Sequence, residues 1–467
     1  MNLQLFTKWY AKYLVFAAMC LFLLIVPILR GPWIGTEPFY YSMIASDFSF
    51  YDPLSYGGRI LSDSILNALI LVPAPNIFLN LLPFILGVIS FFLLGKIFSH
   101  FFADQRLQNL ALFITSLSPA FIYTFSFYNS LTLATFLSIL GFYFYTNKNL
   151  KYFIVPIVVL LPFSNIAVAV CFFVLLFLFT FLIKKDRKIF FFNLFLLSFI
   201  AIFVYASVLI AFMGFPTNYS PGIEGSFQFL SKIMFDLGSP FGLGVFIVLL
   251  ALVGAVGSWE KKYSSPFFFI SIVSFLIISF FLAESLIFLS LFISVLAAFG
   301  LIKIFELRWE NYQYKSFITM IIFLGLIFSS ISQVTHLINS EPSKETIEAM
   351  NYLSTLEPNV VLSDAENGVW INYAGHKSVI DEDYFFAPNA EERYNDLQKL
   401  YASRDLANTT EILEKYDVGY IWIDEEMKEE NWDYDTEGLL FVLQYTNDYY
   451  TMYNKDGIQI WRVNRNA

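Results

Sequence analysis

The order of apolar and polar positions divides this chain into two parts. Through residue 336, apolar stretches long enough to cross a bilayer, roughly 17–25 residues, follow one another with short polar breaks. The pattern predicts spans at 11–30, 76–98, 105–124, 129–147, 151–163, 165–183, 189–213, 240–258, 265–283, 285–305 and 315–334, about eleven in all. Segment 151–163 is short for a crossing, and Pro156 and Pro162 predict a broken helix continuing into 165–183. Two outer loops, 31–75 and 214–239, are long enough to hold chemistry. From 337 to 467 the apolar segments become short and mixed, which predicts an α/β domain. Its expected helices are 343–356, 389–402 and 405–416. Its expected strands are 359–363, 369–373, 418–424, 439–445 and a hairpin of 450–453 with 457–463 around Asn454-Lys455-Asp456-Gly457.

Composition sharpens this picture. Of 467 residues, 57% are hydrophobic and 14% charged, against about a quarter charged in soluble domains. That excludes a disordered chain and a purely soluble enzyme. A net charge of −10 argues against a nucleic-acid partner. The average hides two unlike parts: residues 1–336 hold 18 Lys and Arg against 12 Asp and Glu (+6), and residues 337–467 hold 10 against 26 (−16).

With the N-terminus in the cytoplasm, fifteen Lys and Arg lie at inner ends and only Arg30, Arg59 and Lys232 lie outside. An odd number of crossings then places the acidic domain outside the cytoplasm. The first span reads as a retained anchor, because Arg30-Gly31-Pro32-Trp33 follows it and no small-x-small site does. Cys20 and Cys171 sit in apolar runs, so no disulfide scaffold or zinc site is predicted, and His100, His336 and His376 form no cluster in sequence.

Chemistry is therefore sought on the outer side. The first loop carries Thr36-Glu37-Pro38-Phe39-Tyr40-Tyr41 and then Tyr51-Asp52-Pro53 and Gly57-Gly58-Arg59. A carboxylate at the membrane surface, Glu37 or Asp52, suits a general base or a ligand for a divalent cation. The plainer reading of Glu37 is the first turn of a short helix capped by Thr36. Arg59 is one of few outer cations able to bind a donor phosphate, or else it pairs with Asp52 or meets a lipid head group. Glu284, at the outer edge of a span, is an acid close to hydrocarbon. Two sequons, Asn218-Tyr219-Ser220 and Asn408-Thr409-Thr410, face outward.

These residues resemble a family. Glu37-Pro38-Phe39-Tyr40-Tyr41 is similar to the first-loop motif of the catalytic subunit of oligosaccharyltransferase, where Asp-Pro precedes two aromatics. Ser220-Pro221-Gly222-Ile223-Glu224, with Phe235-Asp236-Leu237-Gly238 after it, is similar to the late outer loop with its Ser/Thr-x-x-Glu motif. Ser363-Asp364-Ala365-Glu366-Asn367-Gly368 is similar in frame to the family's Ser followed by Trp-Trp-Asp-Tyr-Gly. Asp381-Glu382-Asp383 matches its Asp-Asn-Asn segment. The resemblance implies the fold of the C-type polytopic glycosyltransferases. It also implies that Glu37 and Glu224 are catalytic, with Asp364, Glu366 and Asn367 on the acceptor side.

The departures bear on cofactor and donor. The family's second acidic motif, Asp-Asn-Glu at the outer end of the third span, reads Tyr128-Asn129-Ser130 here. A site of Glu37 with neutral Asn129, and Asp47, Asp52 or Asp63 in reserve, would hold Mg²⁺ or Mn²⁺ poorly. The family's late-span arginine is replaced by Ala283-Glu284-Ser285. The two tryptophans that read the acceptor hydroxyl are replaced by Asp364 and Ala365.

The expectation is an integral membrane glycosyltransferase. It would move a sugar or oligosaccharide from a polyprenyl-(pyro)phosphate donor to a polypeptide or glycan acceptor on the extracytoplasmic face. The alternative is a non-catalytic relative that binds lipid-linked glycans after losing its metal site. A transporter is disfavoured, because neither repeated halves nor charges inside the spans are evident.

Overall fold

The structure, a computed structural model, describes residues 11–46, 65–183, 187–212, 228–258, 266–309, 312–381, 389–434 and 436–464. In chain order the helices up to residue 338 are α1 (Ala11–Leu29), α2 (Glu37–Ser46), α3 (Ile65–Leu71), α4 (Pro75–Phe101), α5 (Gln105–Ser116), α6 (Pro119–Ser126), α7 (Ser130–Thr146), α8 (Ile154–Leu160), α9 (Ile166–Ile183), α10 (Arg187–Phe212), α11 (Gln228–Ile233), α12 (Val245–Ser258), α13 (Pro266–Ile278), α14 (Ser285–Glu306) and α15 (Tyr312–Ile338). The described residues fall into two compact units. One lies within Met1–Ile34, Ser62–Tyr205 and Ile223–Asn339, the other within Gly35–Leu61, Ala206–Gly222 and Ser340–Ala467.

The first unit is an all-helical bundle. Among the described residues, α1, α4, α9, α14 and α15 are long and apolar enough to cross a membrane. The pair α5–α6, bent by 61°, makes a sixth if it counts as one span. The stretches Ser130–Thr146, Lys151–Phe163, Val245–Ser258 and Pro266–Ile278 are apolar but shorter. Among the described residues five or six helices thus meet that length, and the about eleven spans that the sequence predicts are not all matched by them. The break at 116–119 comes from Ser118, whose Oγ caps Phe121 N–H while Pro119 opens the next helix.

Apolar side chains project outward in helical register, Phe191, Phe195, Phe199 and Ile202 along α10 and Ile77, Leu81, Ile85 and Ile89 along α4. A protein in water would bury such stripes, so this is a lipid-facing surface and the chain is an integral membrane protein. The tightest crossing is α12 on α14, where Gly254 and Gly300 bring the two backbones together. A Cβ on either would fall onto a carbonyl oxygen of the other helix.

Buried polar groups in the bundle are tied locally. Asn67 is fully buried, donates from Nδ2 to Ser164 O at 3.0 Å and accepts from Ser164 Oγ at 3.1 Å. Tyr128 Oη donates to Asn67 O at 3.0 Å, which pins the segment that follows the third predicted span.

The second unit holds α2 and an α/β domain. Its later elements are α16 (Lys344–Leu353), β1 (Val360–Leu362), α17 (Gly368–Tyr373), β2 (Lys377–Ser378), α18 (Ala390–Ala402), α19 (Leu406–Lys415), β3 (Val418–Ile423), α20 (Glu425–Asn431), α21 (Gly438–Tyr445), β4 (Tyr449–Lys455) and β5 (Ile458–Val463). The sheet order is β2-β1-β3-β5-β4, with β1 parallel to β2 and β3, and β5 antiparallel to β3 and β4. Leu362, Ile421, Ile423 and Trp461 share one sheet face and pack with Leu397, Leu400, Leu413 and Leu443 of the helices.

Two expected strands are helices. Residues 369–373 continue a turn begun at Ala365 and form α17. Residues 439–445 form α21, whose buried Leu439, Leu440, Val442 and Leu443 follow helical spacing.

Candidate functional site

The site is built on the segment that opens α2. Gly35, at φ +71°, turns the chain so that its N–H donates to Glu341 O at 2.7 Å. Tyr40 N–H bonds to Thr36 O at 3.1 Å, so Glu37 stands in the first helical turn. Pro38 there lacks only a proton the helix would leave unpaired, and the Glu37 carboxylate lies at the positive end of the helix. Glu37 is half-buried. Phe39, Tyr41 and Ile44 are buried, and the Phe39 ring meets Tyr373 edge-on at 5.0 Å. The helix that carries the first segment of the family resemblance therefore packs on α17, the helix that continues from the third, within one unit.

The third segment follows β1. Asp364 Oδ1 accepts from Ala365 N–H at 2.7 Å and starts a single 3₁₀ turn, Ala365–Asn367, that leads into α17. Asn367 is buried, and its Nδ2 donates to Ser363 Oγ at 3.1 Å and Asp424 Oδ2 at 2.5 Å. Its amide protons are thus used within the domain. A Cβ on Gly368 would come 2.5 Å from Ile380 O, so only glycine lets α17 lie against that strand end. Asp424, in turn, caps α20 by accepting Met427 N–H at 2.8 Å. Burial first, and then the Asp424 carboxylate beside it, pushes the Asp364 carboxyl above the usual range.

These residues border a cavity of about 570 Å³. Nine of its sixteen lining residues are Asp or Glu and none is Lys, Arg or His, among the described residues. Asp364 and Glu366 come from the end of β1, Asp424, Glu426 and Glu430 from the end of β3, and Asp456 from the β4–β5 turn. Adjacent parallel strands deliver their following loops to one edge, the usual place for a ligand in such sheets. Glu341, which accepts the Gly35 bond, lines the same cavity. Sequence reasoning did not single out Glu341, Asp424, Glu426 or Glu430; the acid-rich run 424–430 was the available signal. Partial burial, then the charges of Asp424, Glu430, Glu341 and Asp364, raises the Glu426 carboxyl above its ordinary value.

Other sequence candidates separate from this site. Glu224, Arg59 and Asp52, with Asp47, Asp63 and Asn218, lie outside the described residues. Asn129 is fully buried and N-caps α7 in a capping box. Its Oδ1 accepts from Leu131 and Thr132 N–H, both at 3.0 Å, and its Nδ2 donates to Tyr123 O at 3.0 Å. An amide so committed cannot turn toward an ion. Among the described residues no three of His, Cys, Asp and Glu are grouped to hold a metal ion, so those residues do not fit a resident Mg²⁺ or Mn²⁺.

Asp236 has a structural task. It accepts Val245 N–H at 2.6 Å at the start of α12 and a bond from Ser329 Oγ of α15 at 3.2 Å. Glu284 stands at the N-terminus of α14. His376 is buried, accepts Asn359 N–H on Nδ1 at 3.3 Å and meets Leu353 O through Nε2 at 2.9 Å. That pairing assigns the neutral Nε2–H tautomer, a structural role. Asn408 and Thr410 of the second sequon both lie on α19.

Among solved structures the chain is similar to the oligosaccharyltransferase of Archaeoglobus fulgidus. The apo crystal structure matches with a TM-score of 0.61 at 14% identity, over 90% of this chain and 70% of that one. The form tethered through a disulfide to an acceptor peptide containing the NVT sequon gives 0.59 at 15% identity, over 97% and 74%. Archaeal oligosaccharyltransferase AglB from the same organism, in complex with an inhibitory peptide and a dolichol-phosphate, gives 0.59 at 14% identity, over 98% and 75%. No family model and no curated protein matches the sequence. The likeness shows the fold: helical membrane spans joined to a mixed α/β domain, as the resemblance implied.

Proposed function

We propose that this chain is a membrane glycosyltransferase of the oligosaccharyltransferase type, acting on the extracytoplasmic face. It moves a sugar or oligosaccharide from a polyprenyl-(pyro)phosphate to a polypeptide or glycan acceptor. The observation that carries the reading is the docking of the Glu37 helix on α17, through Phe39 and Tyr373. It joins the proposed base to the acceptor-side segment Asp364–Asn367 within one compact unit. In the proposed step, the Glu37 carboxylate takes the proton from the acceptor N–H or O–H as that atom attacks the anomeric carbon. The anomeric carbon–oxygen bond breaks and the polyprenyl (pyro)phosphate leaves with the electron pair, its charge met by Arg59. Glu224 orients the acceptor. A lipid monophosphate donor accords with the absent late-span arginine.

Glu37→Gln in the purified protein tests this reading, with a polyprenyl-phosphate sugar and a peptide acceptor. Transfer is expected to be lost while the thermal transition in detergent is unchanged; undiminished transfer would refute the assignment. The locked amide of Asn129 favours a second reading, a non-catalytic protein that binds lipid-linked glycans. Tight donor binding without turnover, equal in parent and Glu37→Gln, is its signature.

A further inference from the structure

We infer that the α/β domain rests on the lipid head-group layer through an exposed aromatic patch, Tyr434, Phe441 and Tyr445 with Arg404, and that this contact holds the domain against the bilayer. The inference needs the chain in a membrane and is independent of the glycosyltransferase reading.

The patch is unlike the rest of the domain surface. Helix α21 buries Leu439, Leu440, Val442 and Leu443. Phe441 and Tyr445, one turn apart on its other face, are 37% and 64% exposed. Their rings meet at 4.8 Å, and the Arg404 guanidinium stands over Phe441, 5.8 Å from the ring centroid. Tyr434, 70% exposed, is held beside the start of α21 by its carbonyl, which accepts Glu437 N–H at 3.0 Å. Leu406, which opens α19 just after Arg404, is exposed as well. Residues 337–467 hold 26 Asp and Glu against 10 Lys and Arg, yet this surface presents rings and a cation. A domain in water rarely gathers such side chains. A phenol with a polar tip and a guanidinium on an apolar stem suit the boundary between hydrocarbon and water.

Position selects the bilayer as the occupant. Two links from the helical bundle enter the second unit, Ile34–Gly35 and Asn339–Ser340. They enter side by side, because Gly35 N–H donates to Glu341 O at 2.7 Å. Glu341 shares a cavity wall with Asp364 and Asp424, from the loops that follow β1 and β3. Tyr401 belongs to that same edge: burial first, and then the charges of Asp364 and Asp424, push its phenol up. The Tyr401 carbonyl accepts Trp432 Nε1–H at 2.8 Å, and a Cβ on Gly438 would fall onto it. Arg404, Tyr434 and the start of α21 therefore issue from the edge at which the chain enters from α1 and α15. A surface tethered so closely to two spans meets the bilayer at high effective concentration. The cavity carboxylates on this edge need water, which leaves the aromatic patch as the part that suits the interface.

The test uses the full chain in phosphatidylcholine nanodiscs, with Cys20→Ala, Cys171→Ala and one new cysteine carrying the fluorophore NBD. At Tyr445→Cys the emission is expected to shift to the blue, to be quenched by a lipid bearing a head-group nitroxide, and to resist aqueous iodide. At Lys377→Cys, exposed beside the start of β1, iodide should quench and the lipid nitroxide should not. The double variant Tyr434→Asp, Phe441→Asp changes exposed side chains. It should keep the parent's thermal transition in detergent while losing the lipid quenching at position 445.

Equal lipid quenching at 445 and 377 overturns the inference, as does lipid quenching at 445 that survives the double variant. Resistance to iodide without lipid quenching also overturns it and marks a protein cover, such as a second copy of the chain. Lipid quenching confined to phosphatidylglycerol discs would overturn it too, because Arg404 would then act as a charge without the rings.

Discussion

The sharpest perturbation is Asn129→Asp, which places a carboxylate between Tyr128 and Ser130, the two positions where the resembling motif carries its acids. Asn129 Nδ2 faces two carbonyl oxygens, Tyr123 O at 3.0 Å and Phe127 O at 3.5 Å, and the residue is fully buried. A carboxylate keeps the cap on Leu131 and Thr132 but turns a donor into a second acceptor. Leaving the Tyr123 carbonyl unpaired costs about 1–3 kcal/mol, and an unpaired buried charge costs more. The chain can escape by protonating the new side chain, which then donates again. From an aspartate pKa of about 3.9 to pH 7 that costs about 4 kcal/mol, at 1.36 kcal/mol per unit.

The substitution should therefore destabilise the protein by about 2–4 kcal/mol at pH 7. The loss should shrink as pH falls, by up to about 1.4 kcal/mol per unit, because the folded state then takes up the proton more readily than the unfolded state. Thermal unfolding in detergent from pH 5 to 8, with and without MnCl₂, reads both. A variant as stable as its parent at pH 8, or one stabilised by Mn²⁺ when the parent is not, would refute the buried donor role of the Asn129 amide. Its side chain would then be facing outward as a ligand.

Three further outcomes are expected. Gly300→Ala places a Cβ on the Leu250 carbonyl of α12, which should cost about 1–3 kcal/mol and be seen as a lower melting temperature in detergent; an unchanged transition would mean that α12 and α14 separate freely. Asp236→Ala removes the cap on Val245 and should cost about 1 kcal/mol, whereas Asp236→Asn should recover much of it; equal losses would mean the cap contributes nothing. Burial holds His376 below its ordinary pKa, so its contribution to stability is full above about pH 6.5 and is lost as pH falls through the lower folded value. His376→Gln should flatten that acid limb relative to the parent; an identical limb in both would refute it.

How far the sequence could be read varies with the range of the interactions. The helices around 344–353, 390–402 and 406–415 were visible because their apolar spacing and their caps, Ser343 and Asp405, are local. Segments 369–373 and 439–445 misled because short apolar runs such as Val-Trp-Ile and Leu-Leu-Phe-Val fit either periodicity. Only the 3₁₀ turn at Ala365 and the packing of α21 decide them. Glu37 at a helix start followed from Thr36-Glu37-Pro38, but Tyr373, which its neighbour Phe39 docks on, is more than 300 positions away. The acidic cavity was hidden for the same reason: strand pairing between β1 and β3, not spacing, gathers its walls.

The Gly35–Glu341 hydrogen bond and the Phe39–Tyr373 contact also set a schedule for biogenesis. The helix that carries Glu37 leaves the ribosome directly after the first span, yet the residues it docks on are made more than 300 positions later. At about 5–20 residues per second, that interval is roughly 20–60 s. Throughout it, the apolar face of α2 must be sheltered by something other than α17. The proposed base and its proposed acceptor segment thus meet only after all the elements between them have been made, so a chain cut short of α17 has no assembled site.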